Sequence, residues 1–172
     1  APPVSLSFEN GDIREIVKNI LGDLLQENYV IDPRVQGTIT IRTSKPVARS
    51  DVLGLLENIL RMNKFALVRD GSYWRILPDA EAVKGISKPS IAPGNSSGLK
   101  AVSASDGSAV LMYSPKYIGA KELQRMIEPF AREAGALRVD ELRNILFLSG
   151  TQQELARLTD LCETFDVSLL RG

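Results

Sequence analysis

The stretch between Asp79 and Ala109 constrains the fold most, because it divides the chain into two parts. Its central letters, KGISKPSIAPGNSSGLKAVSASDGS, are rich in Gly, Ser, Pro and Ala and show no hydrophobic periodicity. This composition is typical of a flexible linker, and the alternative is one long ordered loop. Long loops without secondary structure are uncommon inside compact domains. We therefore expect two small domains at residues 1–80 and 110–170, joined by a flexible linker at 81–109.

The first part of the chain alternates between strand and helix patterns. Apolar side chains occupy every second position of VSLSF, as in a half-buried strand. Residues 13–24 then carry the stripe of an amphipathic helix, formed by Ile13, Ile16, Val17, Ile20, Leu21 and Leu24. Asp12 is the expected N-cap of this helix. Two short strands, a second helix and a hairpin turning at Asp70-Gly71 complete the predicted order β-α-β-β-α-β-β.

The second part has a shorter pattern, which predicts the order β-α-β-β-α. Pro129 lies inside its first helical stripe, so we expect that helix to kink or end early. Thr151 and Glu154 form a capping box at the start of its second helix. The predicted class is therefore α+β, with two small mixed α/β domains.

The charge balance and the residue types exclude several functions. Lys and Arg number 21 together, as do Asp and Glu, so the chain lacks the basic excess of a polyanion binder. It has no histidine, which removes the usual general base and the imidazole metal ligands. We expect no cofactor and no metal. No apolar run approaches the roughly 20 residues of a membrane span, and we expect the chain to be a fragment of a longer protein.

Two residues are candidates for a reactive group, and both have simpler explanations. Asp32, in VIDPRVQGTITI, precedes a proline and is interpreted as a turn-forming residue. Asp140, in RVDELRNILFLS, occupies the analogous place in the second part. Cys162 lies on an apolar helix face, where a buried thiol is expected rather than a nucleophile. We predict that the protein is not an enzyme.

The order β-α-β-β-α is shared with KH-type RNA-binding domains. Those domains need a GXXG loop and a basic surface, whereas YIGAKE has a single Gly. We therefore expect no nucleic-acid partner.

The remaining candidate sites are strand edges, because unpaired edges accept strands from partners. The hypothesis assigns a protein interface to the first strand and to the strand that follows Gly37. Its residues are Val4, Ser5, Leu6, Ser7, Phe8, Thr38, Thr40 and Arg42.

The first part resembles a known family over nearly its whole length. FENGDIREIV, YVIDPRVQGTITI, VLGLLENILR, FALV and WRILP together look like the N0 domain of the secretins, and most of all of the secretins of type II secretion systems. The second part is similar to the secretin N1 repeat, whose pattern is matched by Asn144, Leu146, Gly150 and Asp166. The resemblance implies a signalling-domain-like fold for N0 and a KH-like topology for N1.

The resemblance also implies a location and partners. It implies the periplasmic region of an outer-membrane channel, in which N1 packs laterally in a homo-oligomeric ring of secretin subunits. N0 would bind the periplasmic homology region of the inner-membrane platform clamp protein, and exported proteins would be further contacts. Two alternatives remain open: a secretin of a type IV pilus system, and the signalling domain of a TonB-dependent receptor.

Overall fold

The computed structural model describes residues 2–79, 102–103, 109–133, 135–168 and 170. The chain divides into two compact units. Unit 1 comprises Ala1–Glu9, Thr40–Val52 and Gly107–Gly172, and unit 2 comprises Asn10–Ile39 and Leu53–Asp106. Residues 40–52 thus group with the second part of the sequence, although the predicted boundary falls after residue 80. The domain limits 1–80, 81–109 and 110–170 stay a prediction.

The described residues form ten strands and four α-helices. In chain order they are β1 (Ser7–Asp12), α1 (Ile13–Val17), β2 (Tyr29–Ile31), β3 (Val35–Gln36), β4 (Thr38–Thr43), α2 (Val52–Met62), β5 (Phe65–Asp70), β6 (Tyr73–Pro78), β7 (Val102–Ser103), β8 (Ala109–Tyr113), α3 (Ala120–Ile127), β9 (Leu137–Asp140), β10 (Ile145–Gly150) and α4 (Gln152–Phe165). The mixed α/β class is as predicted, whereas the short strand β3 was not expected from the sequence. Two residues of the predicted linker form β7, and most of the other linker residues lie outside the described ranges.

Most of a five-stranded sheet belongs to unit 1, in the order β1-β4-β8-β10-β9. Strand β10 is antiparallel to both β8 and β9. Strand β4 runs parallel to β8, from Thr40 opposite Ala109 to Thr43 opposite Met112. A strand from the first part of the sequence therefore extends the sheet of the second part.

Helices α3 and α4 share the core of unit 1 with strands β8 and β10. The buried cluster contains Ala109, Tyr113, Ala120, Leu123, Ile127, Leu146, Leu148, Leu155, Leu158 and Cys162. Full burial of one leucine side chain contributes about 1.5–3 kcal/mol, so this cluster stabilises the helix layer on the sheet. Helix α3 ends at Ile127 and passes into a 3₁₀ turn at Glu128–Phe130, as expected from Pro129, which cannot supply a helical N–H.

Unit 2 contains a three-stranded sheet in the order β2-β6-β5 and a two-stranded pair of β3 with β7. The hairpin of β5 and β6 turns at Gly71, whose positive φ of 65° explains the glycine and confirms the predicted turn. Helix α1 continues into a π-helical segment, Lys18–Leu24. Asp12 caps α1 as predicted, because its Oδ1 accepts a hydrogen bond of 2.8 Å from the Arg14 N–H.

The first strand differs from the prediction in its limits. It was expected at residues 4–8, whereas β1 spans Ser7–Asp12 and Val4 makes an isolated bridge to Val47. The backbone N–H of Leu6 donates to the Thr43 hydroxyl at 3.3 Å. A hydrogen bond to a side chain thus lies between the bridge and the strand.

Candidate functional site

The residues predicted for the interface range from buried to exposed, with Val4 and Phe8 in between. Leu6 and Thr40 are both only 3% exposed, so their side chains belong to the interior. Ser5, Ser7 and Thr38 are exposed. The neighbour alongside Thr40–Thr43 is β8 of the same chain. That these residues also contact another protein stays a prediction.

Arg42 is the exposed member of the predicted set with the most defined surroundings. Its Nη2 lies 2.8 Å from Oε2 of Glu9, and its Nη1 donates to Oε1 of Gln152 at 3.1 Å. One guanidinium thus joins β1, β4 and the first turn of α4. Because Arg42 and Glu9 are both well exposed, this ion pair contributes at most about 1 kcal/mol and mainly orients the arginine.

Beside Arg42 lies a groove of about 300 Å³ between α4 and the sheet, named here the β4–α4 groove. It is lined by Arg42, Ala109, Val110, Leu111, Gln152, Leu155, Ala156, Thr159 and Asp160. The sequence prediction missed this groove. The sequence did contain one sign of the groove. Gln152, Ala156 and Thr159 are spaced so that they lie on one flank of α4, beside its apolar stripe.

Asp166 accepts four hydrogen bonds and is only 8% exposed. Its Oδ2 accepts bonds from the Tyr113 hydroxyl at 2.9 Å and the Lys116 N–H at 2.7 Å. Its Oδ1 accepts bonds from the N–H groups of Tyr117 at 2.8 Å and Ile118 at 3.3 Å. One carboxylate therefore fastens the loop between β8 and α3 to the end of α4.

Asn144 fastens the other side of the same loop. Its Oδ1 accepts a hydrogen bond of 2.7 Å from the N–H of Ala120, at the start of α3. The backbone of Asn144 has a positive φ of 56°, which asparagine tolerates better than most residues. Leu146 is fully buried. Asn144, Leu146 and Asp166, three of the residues that carried the resemblance to N1, therefore stabilise the fold.

Opposing influences act on the pKa of Asp166. Burial raises it, but the hydrogen bonds from Lys116, Tyr117 and Tyr113 outweigh burial and hold the pKa below its usual range. Burial, followed by the hydrogen bond to Asp166 and the charge of that carboxylate, raises the pKa of the Tyr113 hydroxyl. The pair is therefore a charged carboxylate and a neutral phenol at neutral pH.

We predict that the stability of unit 1 falls below about pH 4. A carboxyl whose pKa is lower in the folded state stabilises the fold above its unfolded pKa, near 4 for aspartate, and this contribution is lost as the pH falls through the folded pKa. Urea unfolding of the wild type at pH 7 and at pH 3 measures the loss. Asp166→Asn, which cannot titrate, is expected to lose less stability over the same interval. Equal losses for both proteins would assign the acid sensitivity to other groups.

Asp32 forms a turn, as the sequence predicted. Its Oδ1 accepts a bond of 2.8 Å from the Arg34 N–H, and its Oδ2 lies 2.8 Å from Nη2 of the same arginine. These hydrogen bonds from Arg34 lower the pKa of Asp32. Arg14 adds a bond of 3.2 Å to the Asp32 carbonyl. The carboxylate is therefore held as an ionised turn element.

Asp140 has the analogous arrangement that the sequence predicted. Its Oδ1 accepts a bond of 3.1 Å from the Arg143 N–H, and its Oδ2 lies 2.7 Å from the Arg143 guanidinium. The same guanidinium lies 3.4 Å from the carboxylate of Asp51. Arg143 thus ties the turn between β9 and β10 to the segment before α2.

Cys162 is fully buried, as predicted, and burial raises the pKa of its thiol to about 12. Within the described ranges, no three His, Cys, Asp or Glu side chains lie close enough together to hold a metal ion. In the same part of the chain, every helix is too short or too polar to cross a membrane.

Comparison with known families gives a match to the first part of the chain. Residues 6–76 match the family model described as GspD-like, N0 domain. The chain is 38% identical over 168 residues to the secretin XpsD of Xanthomonas campestris pv. campestris, a match that covers 98% of this chain and 21% of the relative. It is 26% identical over 162 residues to the secretin XcpQ of Pseudomonas aeruginosa, covering 94% and 23%. The chain thus spans about a fifth of the length of these relatives.

Solved structures share the fold. The N-terminal domain of XcpQ from Pseudomonas aeruginosa superposes with a TM-score of 0.72 at 20% identity, covering 96% of this chain and 66% of that chain. The GspC–GspD complex of the type II secretion system of enterotoxigenic Escherichia coli contains a chain with a TM-score of 0.58 at 17% identity, covering 96% and 99%. At these identities the likeness is one of fold, and it confirms the predicted fold class.

Proposed function

We propose that this chain is a docking and assembly module. The chain belongs to the type II secretin family, as an N-terminal region of such a protein. In this proposal it forms the periplasmic part of an outer-membrane channel for type II protein secretion. N0 binds the inner-membrane platform clamp protein, and N1 packs laterally in the ring. The observation that carries the proposal is the match of residues 6–76 to GspD-like N0 domains.

The clamp protein is proposed as the partner of N0 on two grounds. A chain of the same fold was solved in a GspC–GspD complex of a type II secretion system. In this chain, β1 lies at an outer position of the five-stranded sheet, where an edge can accept a strand from a partner. Ser5 and Ser7 are exposed along this segment. Exported proteins are proposed as further contacts of the same region.

A binding role fits the chemistry better than a catalytic one. The carboxyl groups with shifted pKa values, Asp32, Glu154 and Asp166, each accept hydrogen bonds from neighbours that fix a turn, a helix flank or a loop. Catalytic groups would instead converge on a pocket with a free reactive atom. The two alternatives, a type IV pilus secretin and a TonB-dependent receptor, are not favoured, because the matched model describes GspD-like N0 domains.

The docking proposal predicts a specific loss of affinity. Calorimetric titration of the chain with the periplasmic homology region of the clamp protein is expected to give saturable binding. The double variant Ser5→Lys/Ser7→Lys should weaken it at least tenfold, about 1.4 kcal/mol, because lysines along an edge oppose strand pairing. Both side chains are exposed, so the fold should tolerate the changes.

The matched control introduces the same two charges elsewhere. Ser50→Lys/Ser72→Lys changes two serines that are also exposed, Ser72 at the turn between β5 and β6, and it should leave the affinity unchanged. Wild-type affinity in the Ser5→Lys/Ser7→Lys variant would remove this edge from the interface. Absence of binding by the wild type would contradict the docking role itself.

A further inference from the structure

The turn between β9 and β10 presents an unusual side chain to solvent. Leu142 is 85% exposed there, whereas the neighbouring Arg143 is held by Asp140 and Asp51. Because those ion pairs fix the base of the turn, Leu142 projects from an ordered support. Burying a leucine gives roughly 1.5–3 kcal/mol, so an exposed and well-supported leucine is a good anchor for a contact.

The β4–α4 groove offers a matching recess within the same unit. Its lining includes the apolar side chains of Leu111, Leu155 and Ala156. The polar residues Arg42 and Gln152 lie at one end and Asp160 at the other, since two helical turns of α4 separate Gln152 from Asp160. The volume of about 300 Å³ is ample for one aliphatic side chain together with part of its turn.

The charges around the two features are complementary. Beside Leu142, the carboxylate of Glu141 lies 3.7 Å from the ammonium of Lys121, so the tip carries one charge of each sign. The groove likewise has a basic and an acidic end, at Arg42 and Asp160. When the tip enters the groove, this exposed ion pair can open, so that Glu141 approaches Arg42 at one end and Lys121 approaches Asp160 at the other, about 12 Å away. Such pairs favour one orientation of the tip in the groove.

The strand order decides which copy of the chain can make the contact. The groove lies beside β4 and β8, whereas the tip joins β10 to β9 at the other side of the sheet. Two different surfaces of one subunit are thus complementary to each other. Contacts of this heterologous kind run head to tail and generate a ring when the rotation between subunits closes.

We propose that Leu142 of one subunit inserts into the β4–α4 groove of a neighbouring copy of this chain, with Lys121 of the first subunit facing Asp160 of the second. The inference rests on the proposed lateral packing and names the contact that produces it. It also gives Arg42, predicted as an interface residue, a place at the subunit boundary.

Cysteine cross-linking in the assembled secretin that carries this region tests the contact. Leu142→Cys combined with Ala156→Cys should give a ladder of covalent oligomers with a short bismaleimide, because both positions are exposed. Each single variant should remain monomeric on a denaturing gel, since the native Cys162 is buried. A double variant that gives no ladder, or that links to a different protein, overturns the inference.

Charge-reversal variants provide a second test of the same contact. Lys121→Glu or Asp160→Lys alone should reduce the assembled fraction at least tenfold, and the double variant should restore it. Leu142→Asp should also reduce assembly, whereas Leu170→Asp, at a leucine that is 95% exposed, should not. Normal rings and clamp-protein binding in Leu142→Asp would overturn this contact and leave the proposed function intact. If the wild type did not bind the clamp protein, that result would instead contradict the proposed function.

Discussion

Replacing Asp166 with alanine is expected to lower the free energy of unfolding by about 4 kcal/mol, because four donors lose their acceptor together. The Tyr113 hydroxyl and three consecutive backbone N–H groups, from Lys116 to Ile118, all donate to this carboxylate. The carboxylate also lies at the C-terminus of α4, where the helix dipole disfavours a negative charge. The hydrogen bonds must therefore outweigh both burial and the dipole. Urea unfolding at pH 7 measures the loss.

Asp160→Ala is the matched control for this prediction. Asp160 lies in the same helix but is exposed, and its change should alter the free energy of unfolding by less than about 0.5 kcal/mol. Hydrogen exchange should also rise at Lys116, Tyr117 and Ile118 in Asp166→Ala, because their amides lose the acceptor. Stability within 1 kcal/mol of the wild type in Asp166→Ala would mean that the loop is held by other contacts.

The sequence predicted the parts of this site that depend on local pattern. The capping box of α4 follows from neighbouring residues, and Thr151 does accept a bond of 3.1 Å from the Glu154 N–H. The role of Asp166 could not be derived in this way, because its donors lie about 50 residues earlier in the chain. A family pattern can mark such a residue, but the contacts that explain it are set by tertiary packing.

Strand neighbours were equally beyond the reach of periodicity. The alternation of Ile39 and Ile41 predicted a strand with one buried face, and both side chains are buried. Periodicity does not say which strand lies alongside, because any strand can supply the backbone partners. The exposed edge inferred for Thr40 is paired with β8. The β4–α4 groove depends on that pairing and was missed for the same reason.

Replacing Thr40 with proline is expected to destabilise unit 1 by at least about 3 kcal/mol. Thr40 is buried inside β4, between β1 and β8, and lies opposite Ala109. Proline removes the backbone N–H and fixes φ near −65°, which a central strand does not tolerate. Chemical denaturation gives the stability change, and hydrogen exchange at Val110 and Met112 reports on β8 directly.

Thr38→Pro separates this effect from a general effect of proline. Thr38 is exposed and is the first residue of β4, a position where strands accept proline, so the loss should stay below about 1 kcal/mol. If β4 and β8 belong to one continuous sheet, hydrogen exchange in β8 should become faster in Thr40→Pro but not in Thr38→Pro. Unchanged exchange at Val110 in Thr40→Pro would mean that β8 is stable without β4. Residues 110–170 would then fold independently of the first part, as the boundaries predicted from the sequence require.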